Sequence, residues 1–337
     1  MPPTPPLSVL LPIRNEEAVL QEALDSLWSQ SFSSFEVLAV DDGSTDGTRE
    51  ILRDAARRDS RIRVFRQEPR GIVAALEMAR AQARGRCVAR MDADDLAHPE
   101  RFQAQMKLMA EVPGLAAVGT GVRYFPREKV KDGARRYETW INGLVSHEEM
   151  VRDLFVECPL AHPTLLLRAE ALELVGGYRA TGWPEDYDLI LRLWQGGGRF
   201  GKVPETLLRW REGTRRLSRT HADYSEDAFR RCKIHHLLRT HLADGRGAVI
   251  WGAGPVGKAF GRELRAQGGI LRAFVDLSPG RVGQEIHGAP VLHPRDAEPL
   301  KKDLHLAAVA QPGARTEIRR ALSEMGRTEL EDFLAVA

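Results

Sequence analysis

Residues 88–101 read VARMDADDLAHPER, and this stretch decides how the fold is interpreted. A short apolar run ends at Met91 and is followed by three carboxylates, Asp92, Asp94 and Asp95. An apolar strand that ends in acids puts them at the carboxyl edge of a sheet, where open α/β sheets bind ligands. Because acids this close repel one another, we expect a cation or a hydrogen-bonded ligand to offset them. A hard divalent ion completed by substrate phosphates is the usual solution.

A structural alternative stays open for the same stretch. Asp95 can act as the N-cap of the helix predicted by the pattern ERFQAQMKLMAEV at 100–112, in which case the acids belong to a solvated strand-to-helix turn. Residues 88–101 alone do not decide between the two interpretations.

Composition sets limits on the class of protein. The chain has 337 residues, 43% of them hydrophobic and 28% charged, which is typical of a globular protein large enough for two domains. The net charge is +2 and the basic residues are scattered, so no nucleic-acid partner is indicated. Cys87, Cys158 and Cys232 lack metal-ligand spacing and are expected to be reduced thiols. The start, MPPTPP, is not apolar and no run approaches the roughly 18 apolar residues of a membrane span, so we expect a soluble cytoplasmic protein.

Strand and helix patterns alternate upstream of the acid cluster. Near-continuous apolar runs such as LSVLLPI are typical of strands buried on both faces, and the segments between them have helical spacing. This alternation predicts a parallel sheet of nucleotide-binding type. The predicted strands are 7–13, 35–40, 62–66 and 87–91, and the predicted helices begin at Asn15 as N-cap, cover 48–58, and run from Gly71 to Ala83.

Asp42 ends its predicted strand as Asp92 and Asp94 end theirs. If neighbouring strands carry these acids, they converge on one crevice. The segment 41–47, DDGSTDG, is also rich in turn-forming residues, so a plain turn and cap is the alternative. Two buried-type strands that both end in paired acids favour a functional crevice.

The stretch SVLLPIRNEEAVLQEALDSLWSQSFSSFEVLAVDDGSTDGT at 8–48, followed by MDADD at 91–95, resembles family 2 glycosyltransferases of the GT-A fold. The similarity extends over residues 6–215. It implies an α/β fold whose mostly parallel, nucleotide-binding sheet is flanked by helices. It also implies an enzyme, an inverting hexosyltransferase, that moves a sugar from a nucleoside-diphosphate-sugar to a saccharide or other hydroxyl acceptor.

The resemblance also implies roles for individual residues. Asp42 matches the acid that hydrogen-bonds the donor base, Asp92 the acid facing the ribose, and Asp94 the ligand of a divalent metal, Mn²⁺ or Mg²⁺. A UDP or dTDP sugar is the expected donor, although many relatives have an aromatic residue where this chain has an arginine. The first-loop positions that line the base and ribose are Pro12, Arg14 and Glu16.

The acceptor side is predicted downstream. We expect a strand at 115–120, an irregular insertion over 122–139, and a strand at 164–167 after His162, which either lines the site or has a structural role. The segment WPEDYD at 183–188 has the sequence of a helix start. Its acids either complement the helix dipole or, as the resemblance implies, present Asp186 as the catalytic base.

A basic segment at 209–218, RWREGTRRLS, follows. In relatives this region often closes over the diphosphate, and arginine forks suit phosphate. Arg211, Arg215 and Arg216 are therefore candidate phosphate ligands, although relatives frequently carry a histidine where Glu212 stands.

The C-terminal part is a separate unit in this interpretation. A predicted strand at 248–251, the turn GAGPVG, a helix, and a strand ending at Asp276 resemble a dinucleotide-binding βαβ unit. The alternative is that the glycines serve only tight strand–helix packing. The candidate nucleotide-binding residues are Gly252, Gly254, Gly257 and Asp276.

We predict a GT-A glycosyltransferase domain over 1–219, a linking helix over 220–245 and a small Rossmann-like domain over 246–337. A nucleotide-dependent oxidoreductase run by the C-terminal unit is one alternative, and a non-catalytic nucleotide-sugar sensor is another. No Tyr-x-x-x-Lys motif follows the glycine turn, which argues against the oxidoreductase. A sensor has no need of a base such as Asp186. The sequence does not indicate the sugar, the acceptor or the oligomeric state.

Overall fold

The computed structural model describes residues 4–213, 216–311 and 313–337. Contacts divide the chain into two compact units. The first unit comprises the chain up to Met150, Pro159–Thr181 and Glu185–Thr220, and the second comprises Val151–Cys158, Gly182–Pro184 and His221–Ala337. Within the ranges described, no helix combines the length and the apolar character needed to span a bilayer.

The first unit is built on a mixed, mostly parallel sheet whose strand order, over the described residues, is β3-β2-β1-β4-β7-β6-β8-β5. The half formed by β3, β2, β1 and β4 is parallel, and β7 joins β4 and β6 in antiparallel fashion. The strands are β1 (Leu7–Ile13), β2 (Phe35–Asp42), β3 (Ile62–Gln67), β4 (Cys87–Arg90), β5 (Leu96–Ala97), β6 (Leu115–Phe125), β7 (Leu166–Arg168) and β8 (Arg199–Arg211).

Helices cover this sheet. They are α1 (Leu20–Trp28), α2 (Thr48–Arg58), α3 (Ile72–Gln82), α4 (Arg101–Glu111), α5 (Asp132–Gly143), α6 (His147–Arg152), α7 (Ala169–Leu174), α8 (Glu185–Gln195) and α9 (Leu217–Thr220). The predicted α/β class with a mostly parallel sheet flanked by helices is therefore confirmed.

The apolar runs explain the position of the central strands. Every residue of β2 is buried, and β1 is buried except for half-buried Pro12, because helices lie against both faces of the sheet. The outermost strand of this half, β3, alternates between buried and more exposed residues instead. The strands with the most continuous apolar sequence are thus the innermost ones, and their carboxyl ends lie side by side.

Two local expectations were wrong. Asn15 does not cap a helix, because α1 begins at Leu20 and Asn15 adopts a left-handed backbone conformation with φ of 55°. The segment 122–139, expected to be irregular, continues strand β6 to Phe125 and then forms most of α5. In α5 the polar, charged sequence hides an amphipathic helix that buries Ile141.

The second unit contains a second sheet with the order β11-β12-β10-β9-β13-β14 over the described residues. Its pairs are parallel apart from β11 with β12. Helix α10 lies within the segment predicted as a linking helix, 220–245, but is shorter than that segment and belongs to the second unit. The elements are α10 (Glu226–Leu237), β9 (Ala248–Trp251), α11 (Pro255–Ala266), β10 (Leu271–Val275), β11 (Glu285–Ile286), β12 (Ala289–Leu292), β13 (Leu304–Ala307), α12 (Ala314–Glu324) and β14 (Phe333–Ala335).

Candidate active site

Strand order brings the ends of β2, β1 and β4 together at one edge of the first sheet. Ile13 is in register with Asp41, so β1 and β2 end almost level, whereas β4 ends opposite Leu10, three residues before the end of β1. Of the first-loop candidates, Pro12 and Glu16 are half-buried and Arg14 is exposed. The predicted convergence of strand ends on one edge is therefore what the topology delivers.

Hydrogen bonds join the loop after β1 to the segment after β2. The backbone N–H of Asn15 donates to Ser44 Oγ at 2.9 Å, and Asn15 Oδ1 accepts from the backbone of Thr45 at 2.9 Å. The backbone N–H of Glu16 donates to Thr48 Oγ1 at 2.8 Å. The left-handed conformation at Asn15 aims its side chain at the second loop, which explains why an asparagine here does not start a helix. These bonds fix the backbone that directly follows Arg14 and Asp42.

Asp42 is buried, and its carboxylate is already used within the protein. Oδ1 accepts from Gln67 Nε2 at 2.7 Å and from the backbone of Arg70 at 2.8 Å, and Oδ2 accepts from the backbone of Gly71 at 2.9 Å. Gly71 is the N-cap of α3, so Asp42 also organises the start of that helix. A carboxylate has about four acceptor positions, which leaves room for one further donor.

The acids after β4 form one cluster. Asp92, Asp94 and Asp95 each offer an oxygen within 4.8 Å of the others, a geometry that could hold a metal ion. Asp92 and Asp94 are half-buried, and Asp95 is fully buried. Asp95 Oδ1 accepts from the backbone of Arg211 at 2.7 Å, whereas its Oδ2 is buried with no hydrogen-bond partner among the described residues.

Burial and mutual repulsion raise the pKa values of two of these acids. Burial, and then the charge of Asp92, raises the pKa of Asp94 to about 6. Burial, Asp92 and Asp94 raise the pKa of Asp95 well above its ordinary value. A carboxylate with a raised pKa and an unused buried oxygen is short of positive charge, so the cluster is a site that a cation would stabilise.

Two buried arginines lie behind the cluster. Arg90, 2% exposed, forms an ion pair with Asp92, and this pairing raises its pKa although burial acts in the opposite direction. Arg101 donates to the carbonyl of Arg90 at 2.7 Å, and burial lowers its pKa to about 9. Asp92 thus has a fixed partner, whereas Asp94 has no ion pair among the residues that the structure describes.

The candidate phosphate ligands differ in availability. The Arg211 guanidinium donates to the carbonyl of Asp94 at 2.6 Å and pairs with Glu22 at 2.7 Å, so it ties β8 to the acid loop. Arg216 lies over the ring of Trp210 at 4.4 Å, and its charge acts on Asp94 and Asp95. Arg215 lies outside the described residues.

Asp186 lies in the first turn of α8, as the sequence predicted. Pro184 and Glu185 are buried, while Asp186 is half-buried and its Oδ1 accepts from the backbone of Tyr187 at 2.8 Å. Asp188 pairs instead with Arg192 at 2.7 Å. One turn of helix therefore presents Asp186 toward the surface and commits Asp188 to the interior.

Sequence reasoning assigned no individual role in this site to Asp95 or Arg90. Asp95 was counted in the acid cluster or, alternatively, as a helix cap, and the cap is wrong because α4 begins at Arg101 and its N-cap is Glu100. Arg90 was taken as part of an apolar run. A third acid directly after a DXD pattern, and a cation interrupting a buried strand, were the signals that could have identified them.

In the second unit, the glycine turn after β9 has the expected tight geometry. Gly252 has φ of 108°, and a Cβ added to Gly257 would lie 1.7 Å from the carbonyl oxygen of Gly252. The carboxylate of Asp276 accepts from the backbone of Ala253 and of Ser278, each at 2.8 Å, and pairs with Arg281 at 3.1 Å, which leaves one acceptor position for a ligand hydroxyl. The strand-end acid therefore braces the turn.

Comparison with known proteins places this architecture. The model of glycosyl transferase family 2 matches residues 8–176. EpsE of Bacillus subtilis (strain 168), a protein named as a glycosyltransferase, is 31% identical over 265 residues, which cover 76% of this chain and 90% of EpsE. The O-antigen biosynthesis glycosyltransferase WbnJ of Escherichia coli is 27% identical over 190 residues, covering 56% of this chain and 71% of WbnJ.

Solved structures share the fold at low sequence identity. S. aureus TarS 1-349 in complex with UDP-GlcNAc has a TM-score of 0.56 at 20% identity, covering 69% of this chain and 66% of that one, a little under two thirds. The mannosyltransferase PcManGT from Pyrobaculum calidifontis, in complex with GDP-Man and Mn²⁺, has a TM-score of 0.50 at 22% identity, covering 79% of this chain and 70% of that one. The expected GT-A type of fold is confirmed by these likenesses.

Proposed function

The chain belongs to glycosyl transferase family 2 and is a glycosyltransferase, and from this premise we propose that it transfers a sugar from a nucleoside-diphosphate-sugar to an acceptor hydroxyl with inversion. The observation that carries the proposal is the cluster of Asp92, Asp94 and Asp95 at the carboxyl edge of the sheet, with one buried oxygen that has no partner among the described residues. Inversion follows from a single displacement, which needs one base on the acceptor side.

A divalent ion, Mn²⁺ or Mg²⁺, fits this cluster. The donor set is entirely carboxylate oxygen, which hard divalent cations prefer. Asp94 would hold the ion, and Asp95 Oδ2 is a further buried oxygen available to it. A bound ion would supply positive charge for the diphosphate leaving group. Asp92, already paired with Arg90, is the acid we assign to the ribose.

We assign recognition of the donor base to the hydrogen-bonded loops that follow β1 and β2. Asp42 has one acceptor position left for a ring N–H, as a uracil- or thymine-type base offers, and Arg14 can stack on the base through its guanidinium plane. A base without a donor at that point would leave a buried acceptor unpaired, which is costly. We therefore propose a UDP or dTDP sugar, in line with the UDP-GlcNAc bound by TarS, while PcManGT binds GDP-Man.

Arg216 is the cation we assign to the donor phosphates. Its guanidinium lies over Trp210 and its charge reaches the acid cluster, whereas Arg211 is held by the carbonyl of Asp94 and by Glu22. An arginine stacked on an aromatic ring is oriented in advance for phosphate, so it loses less entropy on binding.

Asp186 is the proposed general base. It takes the proton of the acceptor hydroxyl as the oxygen attacks the anomeric carbon, while the nucleoside diphosphate departs on the opposite side. Base assistance of about 10² to 10⁴ corresponds to roughly 3–5 kcal/mol of the barrier. Its support is the half-buried position at the start of α8, beside the buried Glu185.

For the second unit we propose binding of a nucleotide or phosphorylated ligand at the glycine turn, without redox change. Gly252, Gly254 and Gly257 bring backbone close to the first turn of α11, whose N–H groups favour phosphate. Asp276 braces the turn and keeps one acceptor position for a ribose hydroxyl.

Calorimetry with UDP, dTDP and GDP, each with and without Mn²⁺, tests the donor assignment. We expect UDP or dTDP to bind more tightly than GDP, and binding to depend on the metal. GDP ranking well above both would overturn the base assignment, and equal affinities without metal would overturn the cation site.

A further inference from the structure

Behind the start of α8, three buried polar groups meet that the proposed reaction does not use. They are His162, Tyr178 and Glu185, with exposed fractions of 7%, 3% and 3%. His162 belongs to a single 3₁₀ turn, His162–Thr164, that precedes β7, and Glu185 is the first residue of α8. Burying this much polarity is costly unless the groups bind one another, so the contacts between them are informative.

The imidazole of His162 bridges the other two groups. His162 Nε2 lies 3.3 Å from Tyr178 Oη, and His162 Nδ1 lies 3.7 Å from Glu185 Oε1. The second distance exceeds a hydrogen bond, as contacts in ligand-free active sites often do before substrates tighten them.

The protonation states of the three groups determine which of them donates and which accepts. Burial, and then the charge of Arg90, lowers the pKa of His162 well below its ordinary value, so the ring is neutral and carries one proton. A carboxylate only accepts, so the proton belongs on Nδ1, facing Glu185. Nε2 is then an acceptor for the hydroxyl of Tyr178, whose pKa burial raises, so that the phenol keeps its proton.

The same groups connect the two halves of the proposed site. Arg90 pairs with Asp92 on the donor side. Its charge also acts on His162 and Tyr178, and the charges of Glu185 and Asp186 act on Tyr178. A buried cation thus lies within electrostatic reach of both the donor acids and the turn that carries the base.

We propose that His162 is a positioning residue that holds Glu185, and with it the first turn of α8, so that Asp186 faces the acceptor hydroxyl; this inference rests on the proposed function of Asp186. In this arrangement the Tyr178 hydroxyl donates to His162 Nε2, and the N–H at His162 Nδ1 faces Glu185 Oε1. Because Asp186 is the next residue of the same helical turn, a shift of Glu185 displaces the base.

Two substitutions of similar polarity separate positioning from packing. The amide of His162→Asn reaches the place of Nδ1 and can donate to Glu185, whereas the longer side chain of His162→Gln puts its amide at the place of Nε2, beside Tyr178. We expect His162→Gln to have a kcat about ten- to a hundredfold below that of His162→Asn, the scale of a misplaced catalytic group. The Kd of the donor in the presence of Mn²⁺ should be the same for both.

The assay measures Mn²⁺-dependent hydrolysis of UDP-GlcNAc and of GDP-mannose, and the released nucleoside diphosphate is quantified. Equal kcat in the two variants, or kcat values that simply follow their melting temperatures, would overturn the positioning role. A wild-type enzyme that turns over neither donor counts against the proposed function, and a second measurement then decides the inference alone. In ¹⁵N-histidine NMR, with His162→Gln used for assignment, we expect the Nδ1–H tautomer at neutral pH, and an Nε2–H tautomer would refute the proposal.

Discussion

Asp94 and Asp92 are neighbours with unequal support at the scale of single residues. Asp92 has the buried guanidinium of Arg90 as a fixed partner, while burial and the charge of Asp92 raise the pKa of Asp94. A charge that the folded protein disfavours is one that a ligand must stabilise. The sequence ranked these acids only by their position in a motif, because it could not reveal which one the buried arginine neutralises.

We predict that Asp94→Asn abolishes metal-dependent binding of UDP. Replacing a carboxylate ligand by an amide removes the charge that holds a hard cation, and a loss above about a hundredfold is expected, beyond the effect of a mere supporting residue. Because the wild-type carboxylate is destabilised by burial, the melting temperature without metal should not fall. Calorimetry and thermal melts measure both effects, with Asp54→Asn on the surface of α2 as the control. Equal Mn²⁺-dependent affinity in Asp94→Asn would show that the ion is held elsewhere.

Asp186 and Asp188 lie two residues apart in α8 and should respond differently to the same substitution. We predict that Asp186→Asn lowers kcat by at least about 10², the lower limit for loss of a general base, with little change in donor affinity or melting temperature. Asp188→Asn should instead lower the melting temperature, because it weakens a buried ion pair with Arg192. Steady-state kinetics and melts of the two variants test the assignment. Near-normal turnover by Asp186→Asn contradicts its role as base.

At the scale of elements, apolar periodicity predicted the strands and helices that bury a continuous face. β1, α2 and β9 have the bounds that their patterns gave. Periodicity failed where a side chain binds across the fold. Asn15 was predicted to cap a helix, but its side chain accepts from Thr45 in another loop. The segment that forms α5 was predicted to be irregular because few of its residues are buried. Such tertiary contacts override local preference.

The pairing of β13 with β9 buries His305, whose protonation is disfavoured in the folded second unit. His305 Nδ1 accepts from Trp251 Nε1 at 2.8 Å, and burial together with Arg327 lowers the pKa of His305 to about 4. The folded state therefore binds fewer protons than the unfolded state between pH 4 and 6.5, so stability falls as the pH drops through that window.

We predict that this histidine costs up to about 3 kcal/mol of unfolding free energy on going from pH 7 to pH 4. Urea unfolding of wild type and His305→Asn at pH 7 and pH 5 measures it. Asparagine keeps an acceptor for Trp251 but does not titrate, so the variant should lose less stability between the two pH values. An equal loss in both proteins would mean that His305 is not the titrating group.

At the scale of the whole molecule, the sequence predicted which candidate residues lie at or near the strand ends but not how neighbouring side chains support them. Pro12, Arg14, Asp42 and Asp92 follow from strand ends, which a βα alternation locates in advance. The Asp95 oxygen that has no partner in the described part of the chain, and the bridge made by His162, depend on side-chain packing between distant segments, which no local pattern encodes. The assigned roles of these residues stay predictions until they are tested.

Removing residues 246–337 is a poor test of the second unit. The buried ammonium of Lys233 donates to the carbonyls of Val156 and Val336, and Asp153 pairs with Arg319. A truncation would remove Val336 and Arg319. Buried Lys233 would then lose one hydrogen-bond acceptor, and buried Asp153 would lose an ion-pair partner, both of which are costly. Substitutions within the glycine turn change the ligand site and keep these contacts.

Gly254 offers the cleanest substitution. Its φ of −82° suits any residue, and the nearest described atom to an added Cβ is Arg281 Nη1 at 3.8 Å. Gly254→Ala should therefore keep both the turn and its ligand, while Gly254→Asp puts a negative charge where phosphate would bind the start of α11. We predict that metal-independent binding of ADP, UDP or pyrophosphate, measured by calorimetry, is lost in Gly254→Asp and kept in Gly254→Ala.

Mn²⁺-dependent binding of UDP should stay within about twofold of wild type in both Gly254 variants, as expected for independent sites. Loss of that binding in Gly254→Asp alone would show that donor binding depends on the glycine turn. Absence of metal-independent binding in the wild type would contradict a ligand at the turn and leave tight strand–helix packing as the reason for its glycines. Oxidation of a reduced nicotinamide by the purified protein with a nucleotide sugar would contradict the non-redox role, because that chemistry needs a hydride acceptor that the proposed transfer does not use.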